Sequence, residues 1–300
     1  MKEEIFSSLQ AAINHVYGEG VHPERLANVS GGDINEAHAL TLSNGRKLFM
    51  KSNRKDNLAF FTAETAGLHA LADTETLPTP GVLAVGTDEE KGGRAFLLLE
   101  YVERGAPSRG AWTEFARGLN AMHRVDTSSL VPGGSFGLAF DNFIGAGNQQ
   151  NTPAETWIDF FRESRLEPKF RLAEPYFGPE ERKLAIRLLD RLDTVLLEPE
   201  KPSLLHGDLW GGNVMPGGDG RLWLIDPAVY VGHREADLAM TELFGGFSRE
   251  FYEALKEDWP LQPGYEDRRD IYNLYHLLNH LNLFGSGYLS GVLRILRTYA

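Results

Sequence analysis

The stretch HGDLWGGN, residues 206–213, decides the fold, together with Asp226 thirteen residues after it. Two short apolar runs, 203–206 and 222–225, lie on either side of this glycine-rich segment and predict strands. The spacing is typical of a kinase catalytic loop. There an Asp accepts the proton of the attacking hydroxyl, an Asn five residues later holds Mg²⁺, and a second Asp after the next strand bridges metal and phosphates.

This spacing predicts Asp208 as the catalytic base and Asn213 with Asp226 as ligands of Mg²⁺. The composition of the chain gives such a match by chance only about 0.003 times, so the pattern is informative. The alternative interpretation is an Asx-rich turn in which Asp208 is a capping residue.

A lysine and a glutamate upstream complete the chemistry of a phosphotransferase. Lys51 ends the predicted strand 47–51, and Glu64 interrupts the apolar stripe of a predicted helix over 56–73. A buried glutamate is costly unless it is paired, and kinases pair such a glutamate with the lysine that holds the ATP phosphates. Lys51 alone would more often be a solvated charge at a strand end, but its place in this order favours the phosphate role.

Two further segments are candidates for contacts with ATP. Residues 30–35, SGGDIN, precede the predicted hairpin of strands 36–42 and 47–51, so the backbone of Gly31 and Gly32 is a candidate for phosphate contacts. A simple helix-to-strand turn is equally compatible with this segment. Glu100, Tyr101 and Val102 end a nearly all-apolar strand over 94–102, and their backbone groups could receive the adenine.

The distribution of these patterns predicts an α+β, two-lobed fold. The first part mixes a helix over 4–17, a small antiparallel sheet and the helix with Glu64, whereas the rest is mainly helical. We place the boundary after residue 103, which gives an N-lobe, 1–103, for the nucleotide and a C-lobe, 104–300, for catalysis, metal and substrate. A loop rich in Gly, Asn and Pro, about 28 residues long, precedes Pro153 and is either functional or disordered.

Composition excludes several other classes of protein. The chain has no cysteine, so thiolate metal sites, disulfides and cysteine nucleophiles are absent. A net charge of −12 argues against nucleic acid as a partner. No apolar run approaches the roughly 20 residues of a membrane span, and the N-terminus lacks a secretory signal pattern, so we expect a cytoplasmic protein.

Three stretches together resemble the fructosamine kinase (ketosamine-3-kinase) family. They are residues 30–37, SGGDINEA, residues 205–213, LHGDLWGGN, and the segment from Asp226 through 232–241, GHREADLAMT, which FGGF at 244–247 continues. The likeness extends from about residue 28 to the C-terminus. Its motifs are narrower than the generic loop that aminoglycoside phosphotransferases and choline kinases share. Gly211 departs from the serine more often expected there.

The resemblance implies a protein-kinase-like fold and ATP-dependent phosphorylation of a ketosamine sugar, usually at its 3-hydroxyl. Phosphorylated ketosamines break down spontaneously, which connects the family with deglycation of amines and protein lysines. The partner would be a small-molecule or protein-bound ketosamine, and the oligomeric state is left open. By position, the resemblance gives Asp208, Asn213, Asp226, Lys51 and Glu64 the roles stated above.

Residues that would hold the sugar are less sharply indicated. Trp210 lies two residues after the base, and His233 and Arg234 follow the metal aspartate, so all three are candidates. Core packing is the alternative for Trp210, and structural pairing with Glu235 or Asp237 is the alternative for the other two. Asp141, Asn142, Phe143, Trp157 and Phe161 could form a substrate wall, although an aromatic pair four residues apart is more often core.

Three other functions remain as alternatives. The run GGSFG, residues 133–137, satisfies the Gly-x-Ser-x-Gly elbow of hydrolases, but about 0.16 such matches arise by chance and no strand or helix pattern surrounds it. A non-catalytic, kinase-shaped binding protein would typically lack one of the functional residues. A kinase of the aminoglycoside or choline type keeps the chemistry and changes the acceptor.

Overall fold

The computed structural model describes residues 4–29, 35–89 and 93–300. Contacts divide the chain into two compact units, which are described separately. Unit 1 comprises Met1–Ala111 and Met215–Asp226, and unit 2 comprises Trp112–Val214 and Pro227–Ala300. Among the described residues, no helix is long and apolar enough to cross a membrane.

Unit 1 is built on a six-stranded sheet with the strand order β1-β5-β6-β4-β3-β2. Its elements are β1 (Ile5–Phe6), α1 (Leu9–Tyr17), β2 (Pro23–Asn28), β3 (Glu36–Leu42), β4 (Lys47–Arg54), α2 (Leu58–Ala72), β5 (Val82–Asp88) and β6 (Arg94–Glu100). The hairpin β3–β4, the helix α2 and the strand β6 were predicted from the sequence. The sheet is not purely antiparallel, because β1 pairs with β5 in parallel.

Two details differ from the sequence-based expectation. The helix predicted over 4–17 begins only at Leu9, because Ile5 and Phe6 form β1 and Ser8 caps the helix by accepting a hydrogen bond from the Ala11 N–H. Strand β2 was not predicted. It lies at the sheet edge, begins with a proline and is largely exposed, so it lacks the apolar alternation by which a strand is recognised.

The two faces of the sheet carry separate apolar cores. On one face, Leu9 and Ile13 of α1 pack with Leu48, Met50 and other strand residues. On the other face, Phe61 and Leu68 of α2 pack with the alternate residues of the strands, whose side chains point to that face; Leu97 is one of them. Lys51 therefore belongs to the face that α2 covers, where it meets Glu64 rather than solvent.

The segment 215–226 joins unit 1 through backbone hydrogen bonds. The amides of Gly105 and Gly218 donate to the carbonyls of Pro216 and Glu103, and the Leu224 amide donates to the Pro78 carbonyl. Strands β10 (Val214–Pro216) and β11 (Leu222–Leu224) pair within this segment. These bonds deliver Asp226, the last residue of the segment, to the face of the sheet that holds Lys51.

Unit 2 is mainly helical and contains one large apolar core. Its elements are α3 (Ala111–His123), β7 (Asn142–Ile144), β8 (Gly147–Gln149), α4 (Trp157–Phe160), α5 (Glu167–Ala173), α6 (Pro179–Asp190), α7 (Leu192–Val195), β9 (Ser203–Leu205), β12 (Tyr230–Gly232), α8 (Arg234–Leu243), α9 (Arg249–Asp258), α10 (Tyr265–Phe284) and α11 (Leu289–Tyr299). A π-helical segment, Phe161–Leu166, connects α4 to α5. The apolar face of α10, with Ile271 and Leu278 among its members, is fully buried.

The strands around the catalytic loop pair differently from a simple hairpin. β9, which precedes the loop, pairs with β12, whereas β11 pairs with β10. The Gly-x-Ser-x-Gly run at 133–137 lies in turns and isolated bridges, with neither a strand before it nor a helix after it. This removes the geometry that a nucleophile elbow requires.

Candidate active site

In unit 1, one ammonium group joins three distant parts of the sequence. The Lys51 Nζ donates to Glu64 Oε1 and to Asp226 Oδ1, each over 2.6 Å. The side chains of Lys51 and Glu64 are almost fully buried, whereas that of Asp226 is 45% exposed. The predicted Lys51–Glu64 pair is therefore formed, and the aspartate proposed for metal binding shares its cation.

The charge state of Lys51 follows from these neighbours. Burial alone would lower the pKa of its ammonium group, but the charges of Asp226 and Glu64 outweigh burial and hold the pKa well above its usual value. Lys51 therefore remains a cation at every physiological pH. A fixed, buried positive charge beside an exposed carboxylate is suited to binding phosphate oxygens together with a metal ion.

In unit 2, the catalytic loop is organised by Asn213. Its side-chain Nδ2 donates to the Asp208 carbonyl over 2.8 Å and to Asp208 Oδ2 over 3.0 Å. Both amide protons are used in this way, so the Oδ1 of Asn213 is the atom left to act as a ligand. The same contact fixes the rotamer of the Asp208 carboxylate, which is required of a base that must meet a hydroxyl at a defined position.

Gly207 allows the loop to turn at this point. Its φ is +82°, and a Cβ there would lie 2.0 Å from the Ala228 carbonyl oxygen. The Ala228 amide in turn donates to the His206 carbonyl. Any side chain at position 207 would therefore displace the backbone that leads into Asp208.

The candidate metal ligands are donors of the type that magnesium prefers. Unit 1 offers the carboxylate of Asp226 and unit 2 offers the amide oxygen of Asn213, both hard oxygen donors. Among the described residues, no group of three or more His, Cys, Asp or Glu side chains could form a complete protein cage for a metal.

Comparison with known proteins agrees with the motifs. The fructosamine kinase profile matches residues 5–300. A probable ketoamine kinase of Synechocystis sp. is 37% identical over 292 residues, which cover 94% of this chain and 92% of the relative. A chloroplastic protein-ribulosamine 3-kinase of Arabidopsis thaliana is 37% identical over 287 residues, covering 94% and 84%. The chain belongs to the fructosamine kinase family.

Solved structures give the same result for the fold. A structure assigned to the fructosamine-3-kinases, from Haemophilus somnus 129PT, has a TM-score of 0.86 at 28% identity and covers 97% of this chain and 96% of that one. An aminoglycoside phosphotransferase and a choline kinase from Streptococcus pneumoniae, at 17% and 18% identity, match with TM-scores of 0.64 and 0.61 and show the shared fold alone. The protein-kinase-like fold predicted from the sequence is confirmed.

One residue of this fructosamine kinase fold was missed by the sequence reasoning. Asp237, in the first turn of α8, is buried and accepts hydrogen bonds from the amides of His206 and Gly207 over 2.8 and 2.9 Å, and His123 Nε2 lies 3.0 Å from it. Burial would raise the pKa of Asp237, but the hydrogen bond from His123 and the backbone amides lowers it below its usual value. Asp237 is therefore an ionised anchor beneath the catalytic loop.

The long loop before Pro153 is ordered by side-chain hydrogen bonds. Gln149 Nε2 donates to the Ala228 carbonyl, and Asn142 Nδ2 donates to the Val229 carbonyl. Arg165, fully buried, donates to Asn151 Oδ1 and stacks 3.9 Å from the Tyr230 ring centroid. The loop therefore supports the backbone that follows Asp226, and Asn142 is a structural residue rather than part of a substrate wall.

Trp157 and Phe161, also candidates for that wall, are fully buried in the core of unit 2. Asp141 accepts a hydrogen bond from the Asn151 amide, and Phe143 lies within strand β7. Trp157 and Phe161 are therefore core residues, as aromatic residues four positions apart on a helix more often are.

His233 and Arg234 do not reach a substrate site. His233 is 4% exposed and caps α8, because its Nδ1 accepts from the Glu235 amide. Arg234 donates to the Trp259 carbonyl and stacks on the Trp259 ring at 4.0 Å. Glu235 forms its ion pair with Arg268 instead. Both side chains are structural, and we do not propose them as contacts to the sugar.

The exposure and contacts of three further candidate residues, Trp210, Glu100 and Tyr101, bear on their proposed roles. Trp210 is 39% exposed, which excludes core packing as its role. Glu100 ends β6, and its amide donates to the Gly81 carbonyl, while the Tyr101 ring lies 5.6 Å from the Lys47 ammonium. Gly31 and Gly32 fall outside the described residues.

Proposed function

We propose that this chain is an ATP-dependent kinase that phosphorylates a sugar hydroxyl, the 3-hydroxyl by resemblance, of ketosamines such as fructosamine or ribulosamine adducts. The contact that supports this most directly is that of Lys51 with both Glu64 and Asp226, because three residues distant in sequence form the ion-pair arrangement that phosphoryl transfer needs. The names of the relatives, ketoamine kinase and protein-ribulosamine 3-kinase, support the acceptor class.

In this proposal each residue has one task. Asp208 accepts the proton of the acceptor hydroxyl as its oxygen bonds to the γ-phosphorus, while the bond from that phosphorus to the β–γ bridging oxygen breaks and ADP leaves. Asn213 and Asp226 hold Mg²⁺, which supplies charge neutralisation of the phosphates when it is bound. Lys51, kept in place by Glu64, binds phosphate oxygens, as do the backbone amides of Gly31 and Gly32.

The adenine and the sugar have further contacts in the proposal. The backbone of Glu100, Tyr101 and Val102 receives the adenine. Because the Glu100 amide already donates to Gly81, the groups of Tyr101 and Val102 are the better candidates for hydrogen bonds to the base. Trp210, exposed and two residues from the base, packs against the sugar. We also expect the protein to work in the cytoplasm.

One assay tests the function against its alternatives. The protein is incubated with Mg-ATP and, in separate reactions, fructosyl-amines, ribulosyl-amines, choline and an aminoglycoside, while ADP release is followed and the phosphate is located by NMR. We expect ADP release only with the ketosamines. Turnover with choline or the aminoglycoside alone would assign a different acceptor, and ATP binding without substrate-dependent turnover would indicate a binding protein.

A further inference from the structure

An aromatic stripe leads away from the catalytic loop across unit 2. It consists of Trp210, Phe244, His280, Phe284 and Tyr288. The ring centroids of Trp210 and Phe244 are 6.3 Å apart, those of Phe244 and His280 5.0 Å, and those of His280 and Phe284 5.5 Å. The Tyr288 ring lies 5.0 Å from that of His280. The stripe is continuous, so a bound group could contact neighbouring rings at once.

Three aromatic side chains of the stripe are exposed to solvent. Trp210, Phe244 and Phe284 are 39%, 41% and 52% exposed. Single apolar side chains are common on protein surfaces, but a contiguous exposed group of aromatic rings marks a place where another molecule binds. Aromatic residues also give the largest contact energy for the least loss of side-chain entropy.

The backbone holds the first two rings of the stripe, Trp210 and Phe244, beside each other. A Cβ at Gly211 would lie 2.7 Å from the Gly245 carbonyl oxygen and 3.0 Å from the Gly246 Cα, so the catalytic loop and the segment after α8 touch without side chains between them. This close contact brings Phe244 beside Trp210. The serine more often expected at position 211 would push the two segments apart.

The stripe also carries no charge that would repel a cation. His280 Nδ1 lies 2.8 Å from the His276 carbonyl and donates to it. Burial lowers the pKa of His280, and the ring is neutral at pH 7. A secondary ammonium, such as the amine of a ketosamine, is attracted to the faces of such rings.

We propose that the aromatic stripe binds the amine-bearing side of the ketosamine, and that it favours amines that carry an extended aromatic or apolar group. The proposal rests on the proposed function. In a ketosamine the amine is attached to C1, only a few bonds from the 3-hydroxyl. When that hydroxyl reaches Asp208, the substituent on nitrogen must leave the site close by, and Trp210 begins the stripe two residues from the base.

The test compares two substrates and three variants. The substrates are fructosyl-glycine, whose amine side is short, and fructosyl-6-phenylhexylamine, whose six-carbon spacer lets its phenyl group extend along the stripe towards Phe284. The variants are Phe284→Ser, Phe284→Trp, and Ile186→Ser, which removes an apolar side chain that is 59% exposed on α6, outside the stripe. The measured quantity is the ratio of kcat/KM for the two substrates.

We expect the unaltered protein to favour fructosyl-6-phenylhexylamine, and Phe284→Ser to lower the ratio about tenfold, the effect of losing one well-placed aromatic contact. Phe284→Trp and Ile186→Ser should preserve the ratio. A similar loss for both substrates in Phe284→Ser, or no preference in the unaltered protein, would overturn the proposal. Absence of ADP release with either substrate in the unaltered protein would instead overturn the proposed function, and the stripe proposal with it.

Discussion

The two clusters of residues for which we propose a function are stabilised in different ways. In unit 1, Lys51, Glu64 and Asp226 are held by charge attraction around one buried ammonium group. In unit 2, Asp208 and Asn213 are held by hydrogen bonds, and the backbone before them is anchored on Asp237. A cluster held by charge should tolerate removal of matched charges, whereas one held by backbone hydrogen bonds should lose its geometry when its anchor is removed.

Replacing the base gives the largest expected effect. Asp208→Asn keeps an oxygen that can accept from Asn213 but removes the proton acceptor, so turnover should fall by about 10²- to 10⁴-fold. ADP release with a fructosyl-amine measures this. Thermal unfolding should be nearly unchanged, and near-normal turnover would remove Asp208 from the role of base.

Removing the buried ammonium group of Lys51 should have two effects, one on stability and one on activity, that a second substitution can separate. Lys51→Met leaves the carboxylates of Glu64 and Asp226 without their partner, and breaking such a buried pair costs about 3–5 kcal/mol of unfolding free energy. Use of ATP should decline by about a hundredfold or more, because a fixed charge on the phosphates is lost.

The matched variant for this experiment is the double substitution Lys51→Met with Glu64→Gln. Neutralising the buried carboxylate as well should recover much of the stability but none of the ATP use. Urea unfolding and the KM for ATP report the two effects. If Lys51→Met altered only the affinity for the sugar, the assignment of this cluster to the nucleotide would be wrong.

Removing Asp237, which anchors the loop of unit 2, should lower stability and turnover together. Asp237→Ala leaves the amides of His206 and Gly207 and the ring of His123 without an acceptor in a buried place. Each unsatisfied donor costs about 1–3 kcal/mol, so unfolding free energy should decrease by about 3 kcal/mol or more. Turnover should decrease with it because the loop is displaced.

Asp237→Asn is the control for this prediction, since its amide retains one acceptor oxygen and should lie between Ala and the unaltered protein in both measurements. Full turnover in Asp237→Ala would show that the loop keeps its shape without the anchor, and the contrast between the two clusters would fail.

The smallest predicted effect is a difference in response to acid. Burial lowers the pKa of His233 to about 3, and the nearby charges of Arg268 and Arg234 add to this, as does His123, whereas Glu235 Oε2 lies 4.0 Å away. Below pH 6.5 His233 binds a proton in the unfolded chain but stays neutral in the folded chain. Stability is therefore lost as the pH falls. Between pH 7.5 and 5.5 His233 should account for about 1.4 kcal/mol.

His233→Asn tests this, because asparagine also caps helices but does not titrate. Urea unfolding at the two pH values measures this, and the variant should lose less stability than the unaltered protein by that amount. Lys51 should contribute no change in this range. Its raised pKa stabilises the fold at all pH values below about 10.5, and that stabilisation is lost only as the pH rises through the folded value. Equal slopes for both proteins would contradict the prediction.

The sequence predicted the kinase-like fold and the contact between Lys51 and Glu64, because both depend on patterns among residues close in sequence. Glu64 stood out because a carboxylate in an apolar stripe needs a partner, and Lys51 in the neighbouring strand provides it. Asp208 and Asn213 stood out because five residues of spacing place both side chains in one short loop.

The failures concern contacts between residues distant in sequence. Asp237 resembles any acid in the first turn of a helix until the two amides that it anchors, about 30 residues earlier, are seen beside it. His233 and Arg234 are polar residues next to a motif, and only tertiary packing shows that they are buried among Trp157, Tyr272 and Trp259. Pairing of β9 with β12 likewise depends on partners that no local pattern encodes.

The backbone of Asp226 restricts what can replace it. Its φ is +54°, in the left-handed region, directly before Pro227. Asp, Asn and Gly accept this conformation, whereas most other side chains are strained there by about 1 kcal/mol or more. An alanine at this position would combine loss of the carboxylate with a change of chain direction, whereas asparagine removes only the charge. Of the residues that accept this conformation, only asparagine also keeps a side-chain oxygen, so the backbone leaves a single replacement that preserves both the chain direction and an oxygen donor.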